Sequence, residues 1–252
     1  MHKFFAKTEY LGKKVIFLPQ CHSTNEEAQS ILSKNVEEGT CIITANQSQG
    51  KGQRGNSWES EPDKNITFSI ILKPDFLTVI NQFGLHIISS LAIYEVLFDF
   101  AGKNLKIKWP NDIYFNENKI GGILIENSIR GKNIDSSIIG IGINVNQIAF
   151  ENDHATSLKE ISGLKFEIND LIEKIIIALE KRYSQLKNGE YDKLKIQYLR
   201  RLYLYELPSL FKSDNQLFTG TIKGIDSDGK LIINDETADR LFDFKEVEFV
   251  RN

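Results

Sequence analysis

A glycine-rich, cationic hexapeptide, GKGQRG at residues 50–55, is the segment of the chain best suited to bind an anion. Its backbone N–H groups can approach a phosphate or carboxylate closely, and Lys51 and Arg54 add positive charge. Ordering three glycines costs backbone entropy, so we expect the loop to be mobile when empty and to close over a ligand. In isolation, the motif is equally typical of a solvated hairpin turn.

The loop fails the established nucleotide-binding patterns. Its spacing satisfies GxGxxG, but the dinucleotide motif must open a helix, and Pro62 and a cluster of turn formers stand where that helix would run. The P-loop pattern fails because Asn56 replaces the lysine that reaches the terminal phosphates. The VAIK, HRD and DFG motifs of protein kinases are absent from the sequence. The loop therefore indicates anion binding of another kind.

Two further segments place small residues in apolar runs. Lys119 precedes the pair Gly121 and Gly122. Glycines weaken a strand unless a ligand or another backbone comes close, so we expect Lys119 to offer its charge to a carboxylate or phosphate. The alternative is a bulged hairpin with a solvated lysine. GIGINVN, residues 140–146, shows the same pattern, with Asn144 able to hydrogen-bond a ligand or metal-bound group. Its alternative is close sheet packing.

The elements that must position these residues alternate between β-branched runs and amphipathic stretches, which predicts an α/β or α+β domain. Six strands, several of them buried on both faces, are predicted at residues 15–20, 41–45, 66–72, 105–109, 119–126 and 136–145. Four helices are predicted near residues 25–34, 81–100, 169–189 and 192–201. Ser23 and Thr24 offer N-cap oxygens to the first helix.

After residue 206 the sequence changes to short alternating runs separated by turn residues, which predicts a small β-barrel. We therefore divide the chain into residues 1–204 and a C-terminal domain of residues 205–252. The C-terminal domain has six basic and ten acidic side chains, a net charge of −4. It does not resemble an oligonucleotide-binding barrel, which needs a basic face.

The whole chain of 252 residues is 41% hydrophobic and 26% charged, as expected of a globular protein. Its net charge of −3 gives no bulk attraction to nucleic acid or anionic lipid. Cys21 and Cys41 form no CxxC motif, and the N-terminal residues lack a signal-peptide pattern, so we expect a reducing, cytoplasmic location. No apolar stretch of roughly 18 to 20 residues is evident, so we expect no membrane span.

Five segments stand in a recognisable order: STNEEA (23–28), QSQGKGQRGNSW (47–58), KWPND (108–112), KIGGIL (119–124) and GIGINVN (140–146). In order and spacing they are similar to those of the biotin–protein ligase family, and the resemblance covers nearly the whole chain. It implies a mixed-sheet catalytic domain related to the class II aminoacyl-tRNA synthetase fold, followed by a small C-terminal β-barrel. It also implies the family's activity, in which ATP converts biotin to biotinyl-AMP and biotin passes to a lysine of a biotin carboxyl carrier domain.

The resemblance implies roles for particular residues. The biotin-binding residues would be Ser23, Thr24, Asn25, Gln47, Lys51, Gly52, Gln53, Lys119 and Gly122. The ATP-binding residues would be Lys51, Arg54, Trp58, Asn111, Asp112 and Asn144, with Mg²⁺ on the phosphates and no certain metal ligand from the protein. Lys119 and Arg54 are the expected catalytic residues, because a cation stabilises the charge that develops as the phosphoryl group transfers.

The chain departs from the family's loop pattern, GRGRxG, in carrying Lys51 and Gln53 in place of two arginines. Lysine lacks the bidentate fork of arginine and glutamine lacks the charge, so we hypothesise that biotinyl-AMP leaks from the site unless Arg54 compensates. Two alternatives stay open. One is a lipoate–protein ligase, against which the biotin-type loop and KWPND argue, and the other is a non-catalytic module that binds biotin or the carrier.

The expected partners are biotin, ATP and the carrier domain of a biotin-dependent carboxylase. Some relatives also bear an N-terminal DNA-binding domain. The 22 residues before Ser23 are too few for a helix-turn-helix domain of about 50 residues, so we expect no DNA binding. Relatives pair through sheet edges, and nothing in the sequence contradicts a homodimer.

Overall fold

The computed structural model of the protein describes residues 7–250, apart from the side chain of Arg54. Within that range, one mixed sheet contains β1 (Val15–Leu18), β2 (Cys41–Thr44), β3 (Ile66–Leu72), β4 (Leu105–Lys108), β5 (Asp112–Phe115), β6 (Asn118–Arg130) and β7 (Asn133–Ile143). The strand order is β1-β2-β3-β7-β6-β5-β4. Strands β1 and β2 are parallel, and the other neighbours are antiparallel. The helices are α1 (Thr24–Leu32), α2 (Phe83–Ala101), α3 (Leu158–Ser162), α4 (Ile168–Lys187) and α5 (Tyr191–Leu199).

The predicted strands and helices of this domain are confirmed, with ends that shift by a few residues. Two elements were not predicted. Strand β5 begins at Asp112 and lies outside the six predicted strands. Helix α3 is only five residues long, although a capping box between Ser157 and Glu160 marks its start and was available as a signal.

Side-chain alternation gives the sheet two different faces. One face of β7 enters the main core with α2 and α4, through Ile139, Ile141 and Ile143. Gly140 and Gly142 alternate with these isoleucines and therefore lie on the opposite face. On that face, α1 packs through Ala28 against a smaller apolar cluster that includes Ile42 and Ile138. The glycines thus leave room for side chains from other elements on the face that α1 covers in part.

Helix α1 begins without the predicted side-chain cap. Ser23 is the N-cap residue, but its side chain makes no capping hydrogen bond. Instead, Gln47 Oε1 accepts hydrogen bonds from the Thr24 backbone N–H at 2.8 Å and from Thr24 Oγ1 at 3.1 Å. A side chain from outside the helix therefore satisfies one of the N–H groups that a helix start leaves unpaired.

Helix α2 lies in an apolar segment, Val79–Asn104, that is long and apolar enough to cross a membrane by length and composition alone. The expectation that no stretch qualifies was therefore wrong. In the fold, 72% of the apolar window is buried. The helix packs against α4, α5 and strands of the large sheet. Enclosure by protein on most sides accounts for a helix that is apolar nearly all round.

A second, antiparallel sheet of five strands follows in the region where a small β-barrel was predicted. It contains β8 (Pro208–Ser213), β9 (Gln216–Ile225), β10 (Leu231–Asn234), β11 (Asp239–Phe242) and β12 (Glu248–Phe249) in the order β11-β10-β9-β8-β12. Phe244 rests beside His86 of α2, with ring centroids 6.1 Å apart. Trp109 Nε1 donates a 2.9 Å hydrogen bond to the Gly229 carbonyl. The domain boundary between residues 204 and 205 stays our proposal.

His86 makes the stability of this packing depend on pH. It is buried, stacks on Phe83 at 5.2 Å, and has no hydrogen-bond partner on either ring nitrogen. Burial lowers the pKa of His86 from 6.5 to about 4. Between these two pH values the unfolded chain binds a proton that the native chain does not, so stability is full above about pH 6.5 and falls as pH falls towards 4.

We predict that wild type loses about 2–3 kcal/mol more unfolding free energy than a His86→Leu variant between pH 7.5 and pH 4.5. The comparison with the variant subtracts the titration of carboxylates, which both proteins share. Urea unfolding at the two pH values measures the difference. An identical pH dependence in the two proteins would show that His86 is not held neutral.

Candidate active site

The five segments singled out in the sequence meet at one cleft on the α1 side of the large sheet, which we call the first cleft. With its open mouth included, its empty space is about 460 Å³. All the residues predicted to bind biotin line it, namely Ser23, Thr24, Asn25, Gln47, Lys51, Gly52, Gln53, Lys119 and Gly122. Trp58 and Asn111, predicted for ATP, line it too.

Glycines form the floor of the first cleft because side chains above the sheet occupy the space that a Cβ would need. A Cβ on Gly142 would lie 2.5 Å from a ring carbon of Trp58, and a Cβ on Gly140 would collide with Asn25 Oδ1. On β6, a Cβ on Gly122 would lie 3.2 Å from the Lys119 ammonium. Gly122, Gly140 and Gly142 therefore leave room for functional side chains.

A polar network below the start of α1 fixes Thr24 and Asn25. Ser69 Oγ on β3 lies 2.7 Å from Thr24 Oγ1 and 2.6 Å from Asn25 Oδ1, so its one hydroxyl proton can serve either oxygen. Asn25 Nδ2 donates to Glu126 Oε2 at 2.6 Å. Neither Ser69 nor Glu126 was predicted from the sequence. The available signal for Ser69 was a lone hydroxyl in the buried run ITFSIIL.

Lys119 projects into the first cleft beside a carboxylate and an aromatic ring. Its Nζ lies 2.7 Å from Asp112 Oδ1 and 5.6 Å from the centre of the Trp58 ring. Asp112 faces Gly122 across the β5–β6 pair, and the glycine leaves room for the lysine side chain to reach back. An ammonium group has three N–H donors, so Lys119 can bind an incoming anion while it stays paired with Asp112.

A second cavity adjoins the first cleft, and Trp58 and Lys119 line both. The segment 150–155 forms its far wall, which the sequence analysis did not predict. That segment reaches the site because the Lys119 N–H donates to the His154 carbonyl at 2.8 Å and the Thr156 N–H donates to the Lys119 carbonyl at 2.9 Å. The result is a site of two compartments that share one cation and one aromatic ring.

Asn111 and Asn144 each donate a hydrogen bond from the side-chain N–H₂ group to a nearby backbone carbonyl. Asn111 Nδ2 donates to the Ile123 carbonyl at 2.6 Å, and Asn144 Nδ2 donates to the Thr156 carbonyl at 3.0 Å. Asn111 lines the first cleft, and Asn144 lines the second cavity. These hydrogen bonds hold the walls of the site, and the predicted contacts of both residues with ATP stay predictions.

The glycine-rich loop is a closed hairpin that covers the first cleft. Lys51 and Ser57 form a β-bridge across it, and residues Gln53–Gly55 form a 3₁₀ turn at its tip. Lys51 Nζ lies 2.5 Å from Glu26 Oε1 on α1, and this hydrogen bond is the main cause that raises the pKa of Lys51. The side chain of Arg54 lies outside the described part of the chain, so its catalytic role stays a prediction.

No group of three or more His, Cys, Asp or Glu side chains within residues 7–250 could hold a metal ion. Mg²⁺ accepts a different arrangement, in which phosphate oxygens, waters and one or two carboxylates surround the ion. Asp112, 22% exposed beside Lys119, is a carboxylate of that kind. The donors present therefore suit a Mg²⁺ ion that arrives with the phosphates of a nucleotide.

The fold and the site define an α/β protein with two adjoining compartments that share Lys119 and Trp58. Residues 17–144 match the sequence model of the Biotin/lipoate A/B protein ligase family. The Bifunctional ligase/repressor BirA of Bacillus subtilis (strain 168) is 32% identical over 238 residues, which cover 92% of this chain and 72% of that protein. The chain belongs to the Biotin/lipoate A/B protein ligase family, which confirms the resemblance found in the motifs.

Two further relatives match over nearly their whole length. The Biotin--[acetyl-CoA-carboxylase] ligase of Paracoccus denitrificans is 25% identical over 240 residues, covering 92% of this chain and 99% of that protein. The structure of a biotin protein ligase from Aquifex aeolicus in complex with biotin and ATP superposes with a TM-score of 0.80 at 27% identity, covering 95% of this chain and all of that one. The predicted fold class is thereby confirmed.

We predict that Gly142→Ala displaces the Trp58 ring, because the added methyl group would lie 2.5 Å from a ring carbon. Overpacking of this kind costs about 1–3 kcal/mol of stability, and the displaced ring should become more accessible to acrylamide quenching of tryptophan fluorescence. The matched control is Gly140→Ala on the same strand, where the added methyl group would meet Asn25 and not Trp58. Equal quenching in the two variants would contradict the predicted contact with Trp58.

Proposed function

We propose that this protein is a biotin–protein ligase, which activates biotin with ATP to biotinyl-AMP and transfers biotin to a lysine of a biotin carboxyl carrier domain. The observation that carries the proposal is the junction of the two compartments at Lys119 and Trp58. An acyl adenylate forms only if a carboxylate meets the α-phosphate of ATP, and both groups are anions. A fixed cation at their meeting point stabilises both the approach and the charge of the transition state.

The first cleft suits the head group of biotin. The ureido ring offers two N–H donors and one carbonyl acceptor, and the hydroxyls of Ser23 and Thr24 and the amide of Gln47 offer matching partners. The dithiolane ring of lipoate has no comparable hydrogen-bonding groups and would leave buried polar atoms of the cleft without partners, which is costly. The polar lining therefore favours biotin over lipoate.

The second cavity is the place for the nucleotide, with the aromatic Trp58 as one wall. The biotin carboxylate attacks the α-phosphorus and pyrophosphate leaves, while Lys119 stabilises the charge on the transferring phosphoryl group. Asp112 holds the Lys119 ammonium in place. Mg²⁺ bound with ATP would neutralise phosphate charge, and the Asp112 carboxylate beside Lys119 would be its protein ligand.

The second half-reaction needs an acceptor lysine, whose amine attacks the acyl carbon and releases AMP. The name of the Paracoccus relative points to a carboxylase as the owner of that lysine. We assign the acceptor to a biotin carboxyl carrier domain on this ground. We also propose a cytoplasmic location, and we leave a homodimer open.

Purified protein with ATP, Mg²⁺, biotin and an apo biotin-carrier domain should add one biotinyl mass increment to the carrier, as measured by intact mass spectrometry. Lys119→Ala should slow the reaction by about 100-fold or more, the usual effect of removing one electrostatic stabiliser. The matched control is Lys103→Ala, because Lys103 is an exposed lysine in the turn before β4.

A parallel reaction with lipoate separates the alternatives. A lipoyl increment in place of a biotinyl one would mean that the cleft selects the other acid. Biotin binding without any increment would favour the non-catalytic module. Equal labelling rates for Lys119→Ala and Lys103→Ala would show that Lys119 is not a catalytic residue.

The replacement of two family arginines in the glycine-rich loop by Lys51 and Gln53 leads to a separate prediction about biotinyl-AMP. Lys51 lacks the bidentate fork of arginine and is already paired with Glu26, so we expect biotinyl-AMP to escape into solution when no carrier is present, unless Arg54 compensates. Lys51→Arg should slow that escape about threefold, as measured by chromatography of the filtrate, whereas Lys34→Arg at an exposed site should not. A tight stoichiometric complex with no free adenylate in wild type would sink the hypothesis.

A further inference from the structure

We propose that Gln147 and Glu59 are positioning residues that set the separation of the two walls of the second cavity and thereby the affinity for the nucleotide. The inference rests on the proposed function, since it takes the second cavity as the nucleotide site. Glu59 lines that cavity, and Gln147 lies behind it. Neither residue lines the first cleft, so their effect should be confined to one of the two substrates.

The side chain of Gln147 is fully buried and uses its whole hydrogen-bonding capacity. Its Nε2 donates to Glu59 Oε1 at 3.0 Å and to the Ala149 carbonyl at 2.7 Å. Its Oε1 accepts from the Glu61 backbone N–H at 3.0 Å and from Asn65 Nδ2 at 2.5 Å. One amide group therefore joins the segment that follows Trp58 to the segment that follows β7.

Glu59 completes the connection on the side of the cavity. Its second carboxylate oxygen, Oε2, accepts a 3.0 Å hydrogen bond from the Glu151 backbone N–H. Trp58 precedes Glu59 on the near wall, and Asn152 follows Glu151 on the far wall. The carboxylate of Glu59, on the near wall, thus contacts the segment of the far wall at two points, the buried amide of Gln147 and the backbone N–H of Glu151.

The same network reaches the end of β7. Asn65 Oδ1 accepts a 3.0 Å hydrogen bond from the Val145 N–H, next to Asn144, which lines the cavity. Residues 57–61 and 147–152 lie outside the strands of the large sheet, so a β-ladder does not fix their separation. Side-chain hydrogen bonds do so instead, and a buried network holds its members rigidly when every partner is satisfied.

The test compares Glu59→Gln with the matched control Glu61→Gln. Glutamine at position 59 keeps the size but replaces one acceptor oxygen with a donor, so either Gln147 Nε2 or the Glu151 N–H loses its partner. The Glu61 carboxylate instead pairs with Lys64 at 3.6 Å on the surface, and only its backbone joins the network. The two variants therefore carry the same chemical change on the same segment.

We expect Glu59→Gln to raise the KM for ATP about fivefold and Glu59→Ala to raise it about tenfold, the usual effect of losing one or two hydrogen bonds. The KM for biotin should stay unchanged in both variants, and Glu61→Gln should match wild type. Calorimetric titration with a non-hydrolysable ATP analogue, without biotin, should show the same order of affinities.

Two results would overturn the inference. Unchanged ATP affinity in both Glu59 variants would do so and would leave the ligase assignment intact, provided that wild type labels the carrier. A parallel loss of biotin and ATP affinity, together with a lower unfolding midpoint, would reduce the network to a structural role. Wild type that binds the ATP analogue without labelling the carrier would instead count against the proposed function.

Discussion

The site depends on the absence of side chains at two alternate positions of β7, Gly140 and Gly142. Because strand residues alternate between faces, the isoleucines between them complete the main core while the glycines leave the opposite face bare. Asn25 and Trp58 occupy that space at contact distance. Any larger residue would displace one of these two side chains. The glycines of the floor are therefore required for Asn25 and Trp58 to hold their positions in the walls of the cleft.

The other parts of the site depend on this side-chain-free face of β7. Gly122 lies beside Gly142 in the β6–β7 pair and gives Lys119 room to meet Asp112 and the Trp58 ring. The compartments on either side of Lys119 and Trp58 then have different linings. The first is built from hydroxyls and amides on a helix start that Gln47 completes. The second is built from loops held by side-chain hydrogen bonds.

The features that could be predicted from the sequence were those that follow from local residue patterns. The alternation of isoleucine and glycine in β7 shows in the sequence itself, as do the loop glycines and Lys119. Partners distant in sequence could not be predicted, because their pairing depends on strand register. Gln47 replaced the expected cap at Ser23, and Glu126 meets Asn25 across 101 residues of chain. The apolar segment around α2 was also misjudged, since burial depends on what packs against it.

The most direct test of the account is a crystal structure of the protein with a non-hydrolysable biotinyl-AMP analogue. We expect the ureido ring beside Thr24 and Gln47, the acyl-phosphate linkage within hydrogen-bond distance of Lys119 Nζ, and the adenosine in the second cavity against Trp58. An analogue bound with its adenosine elsewhere, or with its acyl-phosphate linkage far from Lys119, would contradict the claim that two compartments meet at this lysine.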